Sequence, residues 1–284
     1  MKKVWIFGAG RTGENIYCKF RERNNISIEG FLDNNPNYWG KTKEGLPIIG
    51  NADALKGRLY DEIIIASTTA LPIMKEQLLT AGVAPQCINA SYVETQINAR
   101  INFLYDFASM VPRYSARCAV AEGGVFQGEF AKEINNCFPD LPLHLFDTFE
   151  GFDPRDIEVE TIHSFSKEKV GHFNITSEEL VKGKLPYPER AVFHKGYFPD
   201  SATGLTEEQF LFVNLDFDLY NPTLEGLRLF YPRMVQYGII LVDDYFLPGY
   251  LGVPKAISDF EKEFGKPLVK LPIGDHCGIA IVKQ

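Results

Sequence analysis

Asp216, Asp218, Asp243 and Asp244 are four carboxylates in one short stretch, and each lies at the end of an apolar run. The first run is Phe210 to Leu215 and the second is Ile239 to Val242. Between them Leu224, Leu227, Leu229 and Phe230 recur at helical spacing. The order is strand, acid, helix, strand, acids. Parallel strands joined by a helical crossover bring their C-terminal ends to one sheet edge. Open α/β sheets bind ligands at that edge. Asp216, Asp243 and Asp244 are expected to converge there, with Asp218 turned away from them. Clustered carboxylates repel unless a cation neutralises them. Oxygen donors alone suit a hard divalent ion, Mg²⁺ or Ca²⁺. The plainer alternative is that acids such as Asp218 and Asp243 cap turns or helices.

The elements that must hold these acids belong to a long chain. Its 284 residues leave room for two domains, each with its own core. Hydrophobic residues make up 45% and charged residues 23%, a globular composition. The formal charge of −8, with no strongly basic stretch, argues against a nucleic-acid partner. The five cysteines are widely spaced and form no CxxC pair, so free thiols in a reducing cytoplasm are expected. No apolar run reaches the length of a membrane span. The segment VWIFGAG is too short and glycine-rich for a signal peptide and reads as a first strand.

That strand, Lys2 to Phe7, runs into Gly8-Ala9-Gly10-Arg11-Thr12-Gly13 and then a helical pattern through Ile16, Tyr17 and Phe20. Glycines Gly8, Gly10 and Gly13 permit a tight turn and let a phosphate reach the helix N-terminus. A second strand, Ile28 to Leu32, ends in Asp33, where an acid would meet a ribose. Further strands are expected at Glu62 to Ala66 and Gln86 to Asn89. Residues 1–90 thus read as a Rossmann-like unit for a nucleotide such as NAD, though the glycines could serve the turn alone. The segment Asp33 to Pro36 and the turn Gly45 to Ile48 also resemble the N-terminal domains of sialic-acid and bacillosamine acetyltransferases. That resemblance implies a nucleotide-linked sugar, such as a UDP-sugar. Residues 91–111 follow as a connecting helix, with apolar positions from Tyr92 through Ile97, Ile101 and Leu104 to Ala108. An exposed stripe on it would suit a homo-oligomer contact.

Residues 112–284 read as a second Rossmann-like domain. A strand at Cys118 to Ala121 meets Glu122-Gly123-Gly124, a helix begins near Gln127, and the next strand, Pro142 to Phe146, ends in Asp147. A loose glycine loop suits a nucleoside without a pyrophosphate, and Asp147 can bond both ribose hydroxyls. Together they favour S-adenosylmethionine over NAD. The polar segment Asp153 to Lys184 reads as an inserted lid, and His163 within it as a candidate for touching the acceptor. The fold class is α/β, with two Rossmann-like domains. The second is a doubly wound, mostly parallel sheet with a late antiparallel strand.

Four ordered segments carry a resemblance. LFDTFEGF (Leu145 to Phe152), HKGYFPDS (His194 to Ser201), LDFDLYNPT (Leu215 to Thr223) and GIILVDDY (Gly238 to Tyr245) are similar to the macrocin O-methyltransferase (TylF) family. The resemblance implies S-adenosylmethionine, a divalent metal (usually Mg²⁺) and a sugar or glycosylated acceptor. It implies cofactor contacts from Glu122, Gly123, Asp147 and Gly196, and metal binding by Asp216, Asp243 and Asp244. Asp216 would double as the catalytic base. In catechol O-methyltransferase a lysine stands three positions after the first metal acid; Leu219 stands there in this chain, so a lysine base at that place is excluded. Two other readings stay open. One is an NAD(P)-dependent oxidoreductase or epimerase using the N-terminal loop. The other is a nucleotide-binding scaffold with an inactive methyltransferase domain.

Overall fold

The computed structural model describes residues 1–111, 118–205 and 208–284. It divides into two compact units, Met1–Asn98 and Ala99–Gln284. The division falls inside a helix, and the expected boundary at 112 lies outside the described residues.

The first unit runs β1 (Lys2–Phe7), α1 (Arg11–Phe20), β2 (Ile26–Leu32), β3 (Thr42–Lys43), β4 (Leu46–Pro47), β5 (Glu62–Ile65), α2 (Leu71–Thr80) and β6 (Ile88–Asn89). Its main sheet has the order β2-β1-β5-β6, and every pairing in it is parallel. Strand β1 lies central because it is apolar on both faces: Val4, Trp5, Ile6 and Phe7 are all buried. The chain winds outward from β1 to β2, then returns to β5 on its other side. That reversal sets a switch point at the C-terminal ends of β1 and β5.

The three glycines of the first loop do different jobs there. A Cβ on Gly13 would lie 1.9 Å from the Gly8 carbonyl oxygen, so helix α1 starts against the end of β1 only because Gly13 lacks a side chain. A Cβ on Gly8 would lie 2.7 Å from the Ala66 carbonyl oxygen. Gly10 faces open space. Asp33, just after β2, closes the loop by accepting the Ala9 N–H at 2.8 Å and the Asn35 N–H at 2.7 Å.

Helix α3 (Ser91–Met110) follows. The second unit then runs β7 (Cys118–Gly123), α4 (Glu129–Cys137), β8 (Leu143–Asp147), α5 (Pro154–His163), α6 (Glu178–Lys182), β9 (Ala191–Lys195) and β10 (Gln209–Leu215). It ends with α7 (Tyr220–Phe230), β11 (Met234–Val242), α8 (Gly252–Phe264), β12 (Val269–Pro272) and β13 (Ile279–Val282). The sheet order is β12-β13-β11-β10-β7-β8-β9. Pairings from β11 to β9 are parallel, and β13 is antiparallel to both neighbours. The doubly wound sheet with a late antiparallel strand is therefore as the sequence predicts. Its switch point lies between β7 and β10, where Glu122 pairs with Asn214 and Gly123 with Leu215. One face of the sheet buries Phe146, Phe210, Phe230 and Leu227, and the other Phe212, Leu145 and Leu241. All five cysteines are free.

The glycine geometry gives a direct test. The protein's two tryptophans, Trp5 and Trp39, both lie in the first unit, so their fluorescence follows that unit's unfolding. Gly13→Ala is expected to destabilise it in urea by more than about 2 kcal/mol, since backbone must shift to admit the methyl. Gly10→Ala, a helix N-cap position with room for a methyl, should cost less than about 1 kcal/mol. Equal losses in the two variants would refute this assignment.

Candidate active site

Strand β7 delivers Glu122 to the switch point, and β10 delivers Asn214 beside it. The Asn214 side-chain amide donates to Glu122 Oε1 at 2.9 Å, a cross-strand bond between two fully enclosed side chains. Asp216 follows β10 immediately, its N–H donating to the Gly123 carbonyl at 2.8 Å. Asp243 follows β11, its N–H donating to the Leu215 carbonyl at 3.0 Å. These two bonds extend the sheet by one step and bring Asp216 and Asp243 to a common edge.

Between the acids lies a guanidinium that the sequence reading did not anticipate. Arg100, on α3, donates from one terminal nitrogen to Asp243 Oδ2. Its other terminal nitrogen donates to Asp216 Oδ2 at 2.9 Å and to Asn214 Oδ1 at 2.7 Å. The Phe130 ring packs on the guanidinium at 4.6 Å. Burial alone would lower the arginine's pKa, but Asp216, Asp243 and Glu122 more than offset this and raise it. Arg100 is therefore a permanent cation. A signal for it existed. Arg100 stands four residues before Leu104 and seven before Phe107, so a charged residue falls on the buried stripe of the helix.

The other acids complete a cluster of carboxyl groups. Burial raises the Glu122 carboxyl well above its usual range, with the Asp216 charge adding to the effect. Among the described residues Glu122 Oε2 has no hydrogen-bond partner. Burial likewise pushes Asp216 up to about 8, against the pull of Arg100. Asp244 is buried, and its carboxyl is raised well above normal by burial, then by the charges of Asp218 and Asp243. Asp218 also shares a side-chain hydrogen bond with Asp244. The expectation that Asp218 turns away is thus incorrect. Strand β10 ends at Leu215, and Asp218 sits in a left-handed turn at φ 64° that brings its carboxylate to Asp244.

The glycine loop after β7 is packed against the same edge. A Cβ on Gly123 would enter the Phe217 ring at 2.2 Å, and one on Gly124, at φ 79°, would lie 1.9 Å from the Asp216 carbonyl oxygen. These glycines let the loop touch the backbone that carries Asp216. Asp147, at the end of β8, accepts the Val125 N–H at 2.8 Å and the Phe126 N–H at 2.9 Å through one oxygen, and the Phe149 N–H at 2.7 Å through the other. Burial raises its carboxyl, and these three bonds work against that rise. Gly196 follows β9 at φ 131°, with its N–H bonded to the Asp147 carbonyl at 3.0 Å.

The segment expected as a lid contains α5 and α6, and two of its acids face inward. Glu160 accepts the Tyr220 N–H at the start of α7 at 2.8 Å, and Asp156 accepts the Tyr197 hydroxyl at 3.1 Å. Burial pushes Asp156 up to about 6. The polar composition of the segment concealed these two buried carboxylates. Phe126 and Phe152 each meet the Phe173 ring edge-on, at 5.2 and 5.4 Å, so the segment covers the glycine loop. His163 stacks on Phe165 at 5.1 Å, and Phe165 meets Tyr220 at 5.3 Å.

Comparison with known proteins now bears on this geometry. The family model for macrocin O-methyltransferase (TylF) matches residues 98–273, more than half of the chain. The chain belongs to the TylF family. It is an S-adenosylmethionine-dependent O-methyltransferase. The model described as C2185-like, N-terminal, matches residues 1–88 of this TylF-family chain. Among solved structures, the O-methyltransferase NovP is 19% identical, with a TM-score of 0.52 over 66% of this chain and 80% of its own. CalS11, a calicheamicin methyltransferase, is also 19% identical, with a TM-score of 0.50 over 76% of this chain and 88% of its own. At that identity the two share the fold. No match was found among curated proteins.

The oxygen donors of Asp216, Asp243 and Asp244 suit a hard cation in kind. With Arg100 in place, however, no three acidic, histidine or cysteine side chains among the described residues form a metal-holding group. As they stand, the residues present do not fit the ion.

The Asp147 clasp is testable by Asp147→Asn. One carboxylate oxygen becomes an NH₂ that must face backbone N–H donors. Loss of the bonds should cost the second unit about 1–3 kcal/mol. Amide exchange at Val125, Phe126 or Phe149 should quicken about tenfold or more. Unchanged exchange at all three would show that the clasp is dispensable.

Proposed function

We propose that the second unit transfers the methyl of S-adenosylmethionine to a hydroxyl of a sugar or glycosylated small molecule. The observation that carries this reading is the convergence of Asp216 and Asp243 on one sheet edge, with the glycine loop packed on the Asp216 backbone. TylF membership and a calicheamicin methyltransferase among the structural neighbours support a sugar-bearing acceptor.

In this reading the cofactor lies along the ends of β7, β8 and β9, against Glu122, Gly123, Gly124, Asp147 and Gly196. The Asp147 carboxylate already accepts three N–H bonds, which leaves it about one site for a ribose hydroxyl. Its main work is then to hold the loop, so that the nucleoside meets a preformed surface. Methyl transfer is an in-line displacement. The acceptor oxygen forms a bond to the methyl carbon, the carbon–sulfur bond breaks, and its electron pair stays on sulfur as S-adenosylhomocysteine leaves. The hydroxyl proton goes to Asp216, whose buried carboxyl is a stronger base than an exposed one. Arg100 holds the Asp216 carboxylate by a 2.9 Å bond and fixes its direction. The covering segment, with Phe126, Phe152 and Phe173, excludes water from the cofactor side.

For the first unit we propose a nucleotide or nucleotide-linked sugar at Gly8, Gly10, Gly13 and Asp33, NAD and UDP-sugars being the two ligand classes to try. The open side of Gly10 is the support for this. Five free thiols suit a cytoplasmic setting. Among the described residues no helix is long and apolar enough to cross a membrane.

Calorimetry with S-adenosylmethionine should show saturable binding by the full chain, and its absence would sink the reading. Labelled methyl should pass from the cofactor to a member of a panel of nucleotide sugars and glycosylated metabolites. Asp216→Asn is expected to slow that transfer by about 10²–10⁴-fold while leaving cofactor affinity largely intact. Transfer at the wild-type rate in this variant would remove Asp216 as the base. For the first unit, Gly10→Ala should weaken UDP-sugar or NAD binding by the full chain without unfolding it. Binding of neither ligand by wild type would end that proposal.

A further inference from the structure

Resemblance to the family implies a divalent ion on Asp216, Asp243 and Asp244, and the side chains at this edge disagree. Mg²⁺ and Ca²⁺ take oxygen donors at about 2.0 to 2.6 Å, several of them arranged around one point. Here Asp216 and Asp243 each present Oδ2 to the Arg100 guanidinium, one to each terminal nitrogen. Asp244 shares a side-chain hydrogen bond with Asp218. Two of the expected ligands thus converge on an arginine, and the third is paired with another acid.

Arg100 is built into this place. The nitrogen that holds Asp216 also donates to Asn214 Oδ1 at 2.7 Å, and the Asn214 amide donates to Glu122 Oε1 at 2.9 Å. One side chain therefore spans the ends of β10 and β11 and reaches β7 through Asn214. The Phe130 ring covers the guanidinium at 4.6 Å, and the arginine side chain is only 15% exposed. A guanidinium offers its N–H groups in a rigid fork and keeps its charge at any working pH. Pulling it off both acids would break three hydrogen bonds, two of them ion pairs. Breaking a buried pair is strongly destabilising, so the arrangement resists displacement.

We propose that Arg100 takes the place of a divalent ion at this edge: it is a positioning residue that aims Asp216 at the acceptor hydroxyl, and methyl transfer proceeds without an added ion. The proposal rests on the methyltransferase reading of the second unit. The acceptor O–H gives its proton to Asp216, its oxygen bonds to the methyl carbon, and the carbon–sulfur electron pair stays on sulfur. Activation of the hydroxyl then rests on general-base catalysis by a carboxyl held in one direction. The guanidinium supplies that direction from helix α3, through the same bonds that keep Asp243 beside Asp216.

The first test needs no acceptor. Mn²⁺ binding by the full chain is followed by electron paramagnetic resonance of the free ion, in wild type and Asp243→Asn. The two titrations should coincide, because Arg100 keeps the ion from these acids. An ion held by wild type and released by Asp243→Asn overturns the proposal. Should Asp243→Asn fail to fold, a wild-type crystal soaked in Mn²⁺ decides. Anomalous density bonded to Asp216 and Asp243 overturns the proposal, and Arg100 still bonded to both without such density supports it. The second test follows labelled methyl into whichever panel acceptor wild type methylates. Turnover should agree within about twofold in excess EDTA and in Mg²⁺, and a loss of about tenfold or more in EDTA that Mg²⁺ restores overturns the proposal. Arg100→Met should lower kcat by about 10²-fold with little change in KM for S-adenosylmethionine, and Arg100→Lys should recover part of it. An unchanged kcat in folded Arg100→Met overturns the positioning role. Calorimetry with S-adenosylmethionine on the same samples separates the two readings. Its failure to bind wild type counts against the methyltransferase reading, whereas intact cofactor binding with Mn²⁺ held at the acids counts only against the role of Arg100.

Discussion

Carboxylates drawn to the end of a parallel sheet repel one another, and in this protein the Arg100 guanidinium offsets that repulsion. Arg100 bonds to Asp216, Asp243 and Asn214, and Asn214 in turn bonds to Glu122. The ends of β7, β10 and β11 are thereby tied to helix α3 at one point. Leaving any of these charges buried without a partner would cost several kcal/mol, so the set stands or falls together. The strands alone would bring the acids close. The arginine is what lets them stay close in an environment where burial favours their neutral forms.

The same edge links the glycine loop after β7 to the acids through backbone. Gly123 and Gly124 admit Phe217 and the Asp216 carbonyl at distances that no side chain would allow. The Gly123 carbonyl also receives the Asp216 N–H. A shift in the loop is therefore a shift in Asp216. Asp147 braces the far side of that loop through three N–H groups, and the aromatic contacts of Phe126 and Phe152 with Phe173 cover it. For a displacement reaction, which depends on alignment within fractions of an ångström, such rigidity is the main contribution a protein can make.

Much of this was legible in the sequence because it rests on local pattern. Apolar runs ending in acids gave β10 and β11, and the glycine stretches marked where strands meet helices. The connecting helix showed as a regular run without Pro or Gly. What the sequence hid was pairing across long separations. Arg100 lies 116 residues before Asp216, and only its place on a buried helical stripe hinted at a partner. Asp156 and Glu160 were hidden by a polar segment, since composition reports solvent on average and not the two side chains that turn inward. Asp218 was misjudged because residues two apart on a strand face the same side, not opposite sides, and because past the strand's end at Leu215 it lies in a left-handed turn.

The two units use one device for different ends. In each, the acid after the second strand accepts N–H groups from the loop after the first strand: Asp33 from Ala9, and Asp147 from Val125 and Phe126. Neighbouring parallel strands make this geometry available, because their C-terminal ends emerge side by side. The glycines then decide what the loop is for. In the first unit Gly8 and Gly13 meet each other and Ala66, which fixes the turn while Gly10 still faces open space at the start of α1. An anion can approach a helix N-terminus left open in this way. In the second unit Gly123 and Gly124 are filled by Asp216 and Phe217 from across the switch point. That loop has no open glycine face for a phosphate, and its close contact is with the backbone of the acid cluster instead. The close contacts of the second loop thus follow from which atoms its glycines were left bare to meet.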